Sequence, residues 1–213
     1  MTKAAARVRR AARADWRFVR ELCCKTGNAG APIDRARWPF FGQQWIGPYE
    51  RLERGWCYVA ENASGERLGY LTGCPETAAF EPRKKYLHDF PLFLKTRILG
   101  LYARNGDVER FERRFLGQDL GPEQKFAPEF LTELKRDFPA HLHMNVEALA
   151  RGTGAGRALY ESYRDDLRAR GVRGVHLFCG PNPLPFYAKL GFERLAEIEF
   201  RPGVLVYALG ARF

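Results

Sequence analysis

Apolar positions change period several times along this chain, and each change marks an element. Ala6 to Arg10 reads as a short strand, and from about Asp15 to Thr26 the apolar residues recur at helical spacing, with Phe18, Val19, Leu22 and Cys23 on one face. Gly27, Gly30 and Pro32 close that helix. The stretch to about Pro48 is aromatic, with Trp38-Pro39-Phe40-Phe41 and Trp45, but its prolines and glycines break any period, so it reads as a loop. Trp56 to Glu61 and Arg67 to Thr72 alternate about Asn62-Ala63-Ser64-Gly65, as a hairpin does. Helical runs follow near Pro91 to Asn105, Asp107 to Leu116 and Ala127 to Asp137. A strand (Ala140 to Val146), a helix (Arg157 to Arg170) and a further strand (Val175 to Cys179) come next. Alternation in the first of these strands places His141, His143 and Asn145 on one face and Leu142 and Met144 on the other.

The turn between that strand and its helix is Arg151-Gly152-Thr153-Gly154-Ala155-Gly156. Glycines at a helix start let the backbone approach a ligand and turn N–H groups inward, and the helix dipole adds positive character, so this turn suits a phosphate. A dinucleotide fingerprint would need glycine at 157, where Arg157 stands, and the Gly-Lys-Ser/Thr of a Walker loop is absent.

What remains, Arg-x-x-Gly-x-Gly after a strand, resembles the pyrophosphate loop of the GNAT acetyltransferase superfamily. A second block, Asn182-Pro183-Leu184-Pro185-Phe186-Tyr187-Ala188-Lys189-Leu190-Gly191-Phe192, resembles that family's closing segment, a short helix ending in Tyr-x-x-x-Gly-Phe. The resemblance implies an α/β (α+β) fold with a central mixed, mostly antiparallel sheet flanked by helices. It implies a single domain over residues 1–213, with a helical insertion at about 73–139 between the third and fourth strands that would cover the acceptor site or make a dimer contact. Phe138 to Val146, Cys-x-x-Thr-Gly ending at Gly27 and Trp-Ile-Gly-Pro-Tyr ending at Tyr49 are in addition similar to bacterial acetyltransferases related to the acetyltransferase-like domain of eukaryotic O-GlcNAc hydrolase.

Composition narrows the classes without choosing among them. The chain of 213 residues, 46% hydrophobic and 14% aromatic, can bury a core, and no apolar run approaches the ~18 residues of a membrane span. Met1 to Ala14 is acid-free and rich in Ala and Arg, as a mitochondrial presequence can be. It runs without a spacer into Asp15-Trp16-Arg17, however, so the expectation is a first strand and helix in a cytoplasmic protein. Cys23, Cys24, Cys57, Cys74 and Cys179 show no Cys-x-x-Cys and mostly sit in apolar patterns, which reads as core cysteines in a reducing compartment. A net charge of +10 attracts anions; coenzyme A is one such partner and nucleic acid another. Against nucleic acid, the arginines are scattered and no nucleic-acid motif is present.

Acetyl transfer to an amine needs a held thioester, a neutral nucleophile, a polarised carbonyl and a proton for the departing thiolate. The resemblance implies acetyl-CoA as co-substrate and places its pantetheine along the strand at Met144, Asn145 and Val146, where backbone groups would bond it as an added strand does. Arg151, Gly152, Thr153, Gly154, Ala155 and Gly156 would hold the pyrophosphate. Arg157 would add charge or stand as an ordinary exposed arginine. Tyr187 matches the position that protonates the thiolate in many members, and a phenol suits that task; packed between Phe186 and Phe192 it could instead be a core aromatic. The family's asparagine seven residues earlier is replaced by Gly180, which leaves Asn182 as a displaced cofactor contact.

For the base there are three candidates: His141, His143 and, acting through water, Glu147. Either histidine could equally be a packed structural ring, and His-x-His lacks a third ligand at zinc spacing, so no metal is expected. Trp38, Trp45, Tyr49 and Phe80 are candidates to line the acceptor cleft, and Glu76 or Glu81 to hold a cationic amine. Two functional readings compete: an N-acetyltransferase working by direct attack in a ternary complex on a protein lysine or small amine, and a weak or inactive module that binds acetyl-CoA as a sensor or interaction domain. The acceptor is unidentified, and the family's habit favours a homodimer.

Overall fold

The computed structural model describes residues 6–213, so the first five residues of the Met1 to Ala14 segment lie outside the described ones. Seven strands form one sheet: β1 (Arg7–Arg10), β2 (Cys57–Glu61), β3 (Arg67–Cys74), β4 (Ala140–Val146), β5 (Gly174–Cys179), β6 (Glu193–Arg201) and β7 (Val204–Arg212), in the order β1-β2-β3-β4-β5-β7-β6. Every neighbouring pair is antiparallel except β4 and β5. The helices are α1 (Trp16–Thr26), α2 (Trp38–Leu52), α3 (Thr77–Lys84), α4 (Phe90–Arg97), α5 (Gly106–Phe115), α6 (Pro128–Asp137), α7 (Ala155–Ala169) and α8 (Leu184–Ala188). Among the described residues no helix is long and apolar enough to cross a membrane.

Two layers cover the sheet. On one face lies α7, whose buried Leu159, Tyr160, Tyr163 and Leu167 recur at helical spacing and pack against Tyr58, Leu71, Leu142 and Leu177. The Tyr163 hydroxyl lies 3.0 Å from the Cys74 carbonyl and 2.8 Å from that of His141, which locks this helix to β3 and β4. On the other face α1 buries Trp16, Val19, Leu22 and Cys23 against Ile46, Cys57 and Tyr70. The helix ends where glycine and proline stop it, as its sequence indicates.

The loop expected up to Pro48 is instead mostly α2, and packing explains the difference. Pro39 occupies the first turn, where its missing N–H costs nothing, and Pro48 is borne inside the helix because Phe40 and Ile46 are fully buried. Tertiary burial here outweighs two breakers.

The insertion expected at about 73–139 lies between β3 and β4 and is helical. Its first expected helix, Pro91 to Asn105, is replaced by α3, a π-helical turn at Lys85–Asp89, and α4, which stops at Arg97. The other two match α5 and α6 closely. The insertion divides: α4 and α5 join α2 through Phe40, Leu92, Val108 and Phe111, whereas the turn at Phe126 packs on β7 through Val206 and Ala208.

Candidate active site

The register of β4 creates the site. It pairs with β3 from Cys74↔His141 to Gly69↔Val146, but with β5 only at Ala140↔Val175 and His141↔His176. β5 pairs with β7 along its whole length, from Gly174 to Cys179, but past His176 it no longer pairs with β4, which leaves a notch between the two inner strands. The Glu147 N–H donates to the Leu68 carbonyl at 2.8 Å, which sets the phase of the ladder: odd-numbered residues of this strand bond β3. The backbone groups of Met144 and Val146 therefore face the notch. Among the described residues they have no backbone partner on that side, as a docking edge for an extended ligand requires.

The glycine loop lies at the Val146 end of the notch. Gly152 and Gly154 hold φ of 75° and 93°, a left-handed backbone in which glycine is unstrained, and Gly154 caps α7 without any side-chain cap. Thr153 turns inward, its hydroxyl donating to the Ala150 carbonyl at 2.7 Å and standing 3.4 Å from the Ala155 N–H. Among the described residues the N–H groups of Gly152, Gly154, Gly156 and Arg157 have no acceptor, which leaves a cluster of donors at a helix N-terminus. A Cβ on Gly156 would lie 2.9 Å from the Phe186 ring, so a side chain there would have to displace that ring. Arg151 donates to the Gly30 carbonyl at 3.1 Å and Arg157 to that of Lys189 at 3.1 Å, so both guanidiniums brace neighbouring loops.

Tyr187, on α8, is buried against Phe186 and Phe192, beside Cys179 of β5. Among the described residues its hydroxyl has no hydrogen-bond partner. Burial raises its pKa and keeps the phenol protonated, in the donor form. Asn182 is exposed in the turn before α8.

On the face away from α7, the three polar side chains of β4 share one side, as their alternation requires. His141 is held on both nitrogens: Nδ1 lies 2.8 Å from the Thr77 hydroxyl and Nε2 3.0 Å from the Tyr49 hydroxyl. Thr77 donates its own proton to the Pro139 carbonyl at 2.7 Å, so Nδ1–H donates to Thr77 and the Nε2 lone pair accepts from Tyr49. Burial, with His176 as a second cause, pushes its pKa well down. His143 is freer: Nε2 stands 3.4 Å from the Asn145 amide, and Nδ1 is buried without a partner. Asn145 donates to the Tyr70 hydroxyl at 2.8 Å. Glu147, the third base candidate, is ion-paired with Lys25 of α1 at 2.9 Å.

The acceptor candidates separate. Tyr49 and Phe80 stack at 5.4 Å beside His141. Trp38 donates to the Ile33 carbonyl under Arg35, and Trp45 lies against Phe41. Glu76 and Glu81 line a separate cleft of about 800 Å³ with Lys85, Lys135 and Arg173, near the closed end of the β4–β5 pair. Thr77, Tyr70, His176 and Lys25 are site residues the sequence reading missed. Only His176, aligned with His141 on the next strand, had a signal in the alternation of β5.

Burial lowers the ring pKa of His143 and of His176 to about 4. Their unfolded values lie near 6.5. Between roughly pH 6.5 and 4 the unfolded chain therefore binds more protons than the folded one, and stability falls as the pH drops through that window. Each ring contributes of order 2–3 kcal/mol. Urea titrations from about pH 7.5 down to about pH 5 should show the midpoint falling, and His176→Phe should flatten the slope. A midpoint unchanged across that range would contradict neutral buried rings.

No protein-family model matches the sequence. Solved structures similar to it include SsHAT, 27% identical over 98% of both chains with a TM-score of 0.75. A GCN5-related N-acetyltransferase from Kribbella flavida is 17% identical over 98% of both chains, with a TM-score of 0.56. A GNAT superfamily phosphinothricin acetyltransferase from Sinorhizobium meliloti, in complex with AcCoA, is 17% identical over 100% of this chain and 89% of its own, with a TM-score of 0.54. With its parted β4 and β5 and its glycine loop at the start of α7, the chain has the GNAT fold.

Proposed function

We propose that this protein is an acetyl-CoA-dependent N-acetyltransferase that passes an acetyl group to an amine, a protein lysine or a small molecule, by direct attack in a ternary complex. The observation that carries this reading is the run of unpartnered backbone groups from Met144 and Val146 to the N–H cluster at Gly152, Gly154, Gly156 and Arg157, among the described residues. An edge of free strand groups fits the amides of a pantetheine arm, and N–H donors at a helix start fit a pyrophosphate. The similar Sinorhizobium meliloti chain was solved with AcCoA. Bound there, acetyl-CoA would supply the activated acyl group. Met144 and Val146 would orient it and polarise its carbonyl, the loop would hold its charge, and Tyr187 would deliver a proton to the leaving sulfur.

The acceptor side supports His143 as the residue that accepts a proton, because His141 has both nitrogens engaged and Glu147 is paired with Lys25. The same scarcity of free bases favours a second reading, a weak or inactive module that holds acetyl-CoA as a sensor or interaction domain. We place the chain in the bacterial subgroup related to the O-GlcNAc hydrolase acetyltransferase-like domain, in the cytoplasm, on the segments and cysteine usage described above. As a homodimer it would use the exposed Tyr86, Ile98, Leu99 and Leu101 of the insertion.

The test combines titration calorimetry of acetyl-CoA with release of free thiol in the presence of a lysine peptide or spermidine. Micromolar binding with amine-dependent thiol release is the expected result. Binding without release would move the module reading first, and no binding would sink both.

A further inference from the structure

Four buried side-chain nitrogen or oxygen atoms lack a hydrogen-bond partner among the described residues: Thr72 Oγ1, His143 Nδ1 and the Nε atoms of Arg20 and Arg114. The first two are neighbours. Thr72 of β3 and His143 of β4 are register partners, and odd-numbered residues of β4 exchange backbone hydrogen bonds with β3. Their side chains therefore stand side by side on the face away from α7, with Cβ atoms about 5 Å apart. Thr72 is fully buried, and Nδ1 of His143 is sealed from solvent although its ring is partly exposed.

The chemistry of the two atoms is complementary. Nε2 of His143 stands 3.4 Å from the amide nitrogen of Asn145, which can only donate and already donates to the Tyr70 hydroxyl at 2.8 Å. Nε2 therefore presents its lone pair there, and the single proton of the neutral ring sits on Nδ1. A buried N–H without an acceptor is costly, whereas a threonine hydroxyl has two lone pairs to offer. Nδ1 is also the ring nitrogen nearer the backbone, so it is the one within reach of a register partner. A turn of the Thr72 hydroxyl about χ1, or one bridging water, satisfies both atoms together.

We propose that Thr72 is a positioning residue for His143: its hydroxyl accepts the Nδ1 proton and holds the ring in the tautomer that leaves the Nε2 lone pair for the incoming amine. This rests on the reading of His143 as the residue that accepts a proton, and deepens it. An N–H bond of the attacking amine breaks as the Nε2–H bond forms. The ring is then an imidazolium, and the bond from Nδ1 to Thr72 becomes charge-assisted at the moment the positive charge appears. Thr72 touches no substrate; it acts through the ring, as the third group that orients a base does.

The test is long-range proton–nitrogen correlation spectroscopy of the imidazole rings in wild type, Thr72→Val and Thr72→Ser, with His143→Gln to assign the signal among the four histidines. The expected result is a His143 proton on Nδ1 in wild type and Thr72→Ser, moved largely to Nε2 in Thr72→Val, where a methyl of the same shape replaces the hydroxyl. In turnover kcat should fall about tenfold in Thr72→Val and recover in Thr72→Ser, with equal acetyl-CoA affinity in all three. The urea midpoint gives a reading independent of catalysis: it should fall in Thr72→Val, whereas removal of a buried hydroxyl that bonds nothing would raise it. A wild-type ring protonated on Nε2, a tautomer indifferent to Thr72, or a raised midpoint overturns the inference. The expected change of tautomer with kcat unaltered would instead overturn the reading of His143 as the proton acceptor.

Discussion

Gly154→Glu is expected to weaken acetyl-CoA binding by at least about a hundredfold, or roughly 2.7 kcal/mol, in titration calorimetry. Three effects combine. Gly154 sits at φ 93°, where a side chain is strained by about 1–2 kcal/mol, so the loop must shift to accept it. The shift disturbs the N–H groups of Gly152, Gly154, Gly156 and Arg157, which are uncommitted among the described residues. A carboxylate in that place also repels a pyrophosphate. Gly154→Ala separates the terms, because it keeps the strain and omits the charge; about a tenfold loss is expected for it. The helix is held elsewhere by Leu159, Tyr163 and Leu167, so circular dichroism should remain that of a folded protein. Wild-type affinity in Gly154→Glu would mean that the loop is not the phosphate site.

Tyr187→Phe is expected to lower kcat by about 10² to 10³ with acetyl-CoA affinity unchanged. The hydroxyl has no protein hydrogen bond to lose, and phenylalanine keeps the ring against Phe186 and Phe192, so thermal stability should change by less than about 1 kcal/mol. What is lost is a protonated phenol, kept in that form by burial. Rates measured at saturating acetyl-CoA make the comparison clean, because a defect confined to KM would indicate positioning of the ligand in place of proton transfer. An unchanged kcat would remove Tyr187 from the chemistry and leave it as a core aromatic.

Both variants were accessible from short stretches of sequence. Arg151 to Gly156 and Asn182 to Phe192 each encode a local backbone shape, and alternation within Ala140 to Val146 put His141, His143 and Asn145 on one face, where they stand. Much else was not local. The hydrogen bonds that occupy His141 come from Thr77 and Tyr49, brought by α3 and α2, and α2 itself was hidden behind Pro39 and Pro48. Lys25 reaches Glu147 from the first helix. Glu76 and Glu81, candidates from loop position to hold an amine, line a cleft with Lys85, Lys135 and Arg173.

The sequence by itself determined the order of the elements flanking the notch, the helical insertion between β3 and β4, the left-handed glycines before α7 and the position of Tyr187. These follow from residue spacing and from backbone conformations that particular residues permit. Only the tertiary structure decided that β4 and β5 part after His141 and His176, and which histidine nitrogens remain free. Proton affinity and availability depend on burial and on partners delivered from distant segments, and no local pattern encodes them.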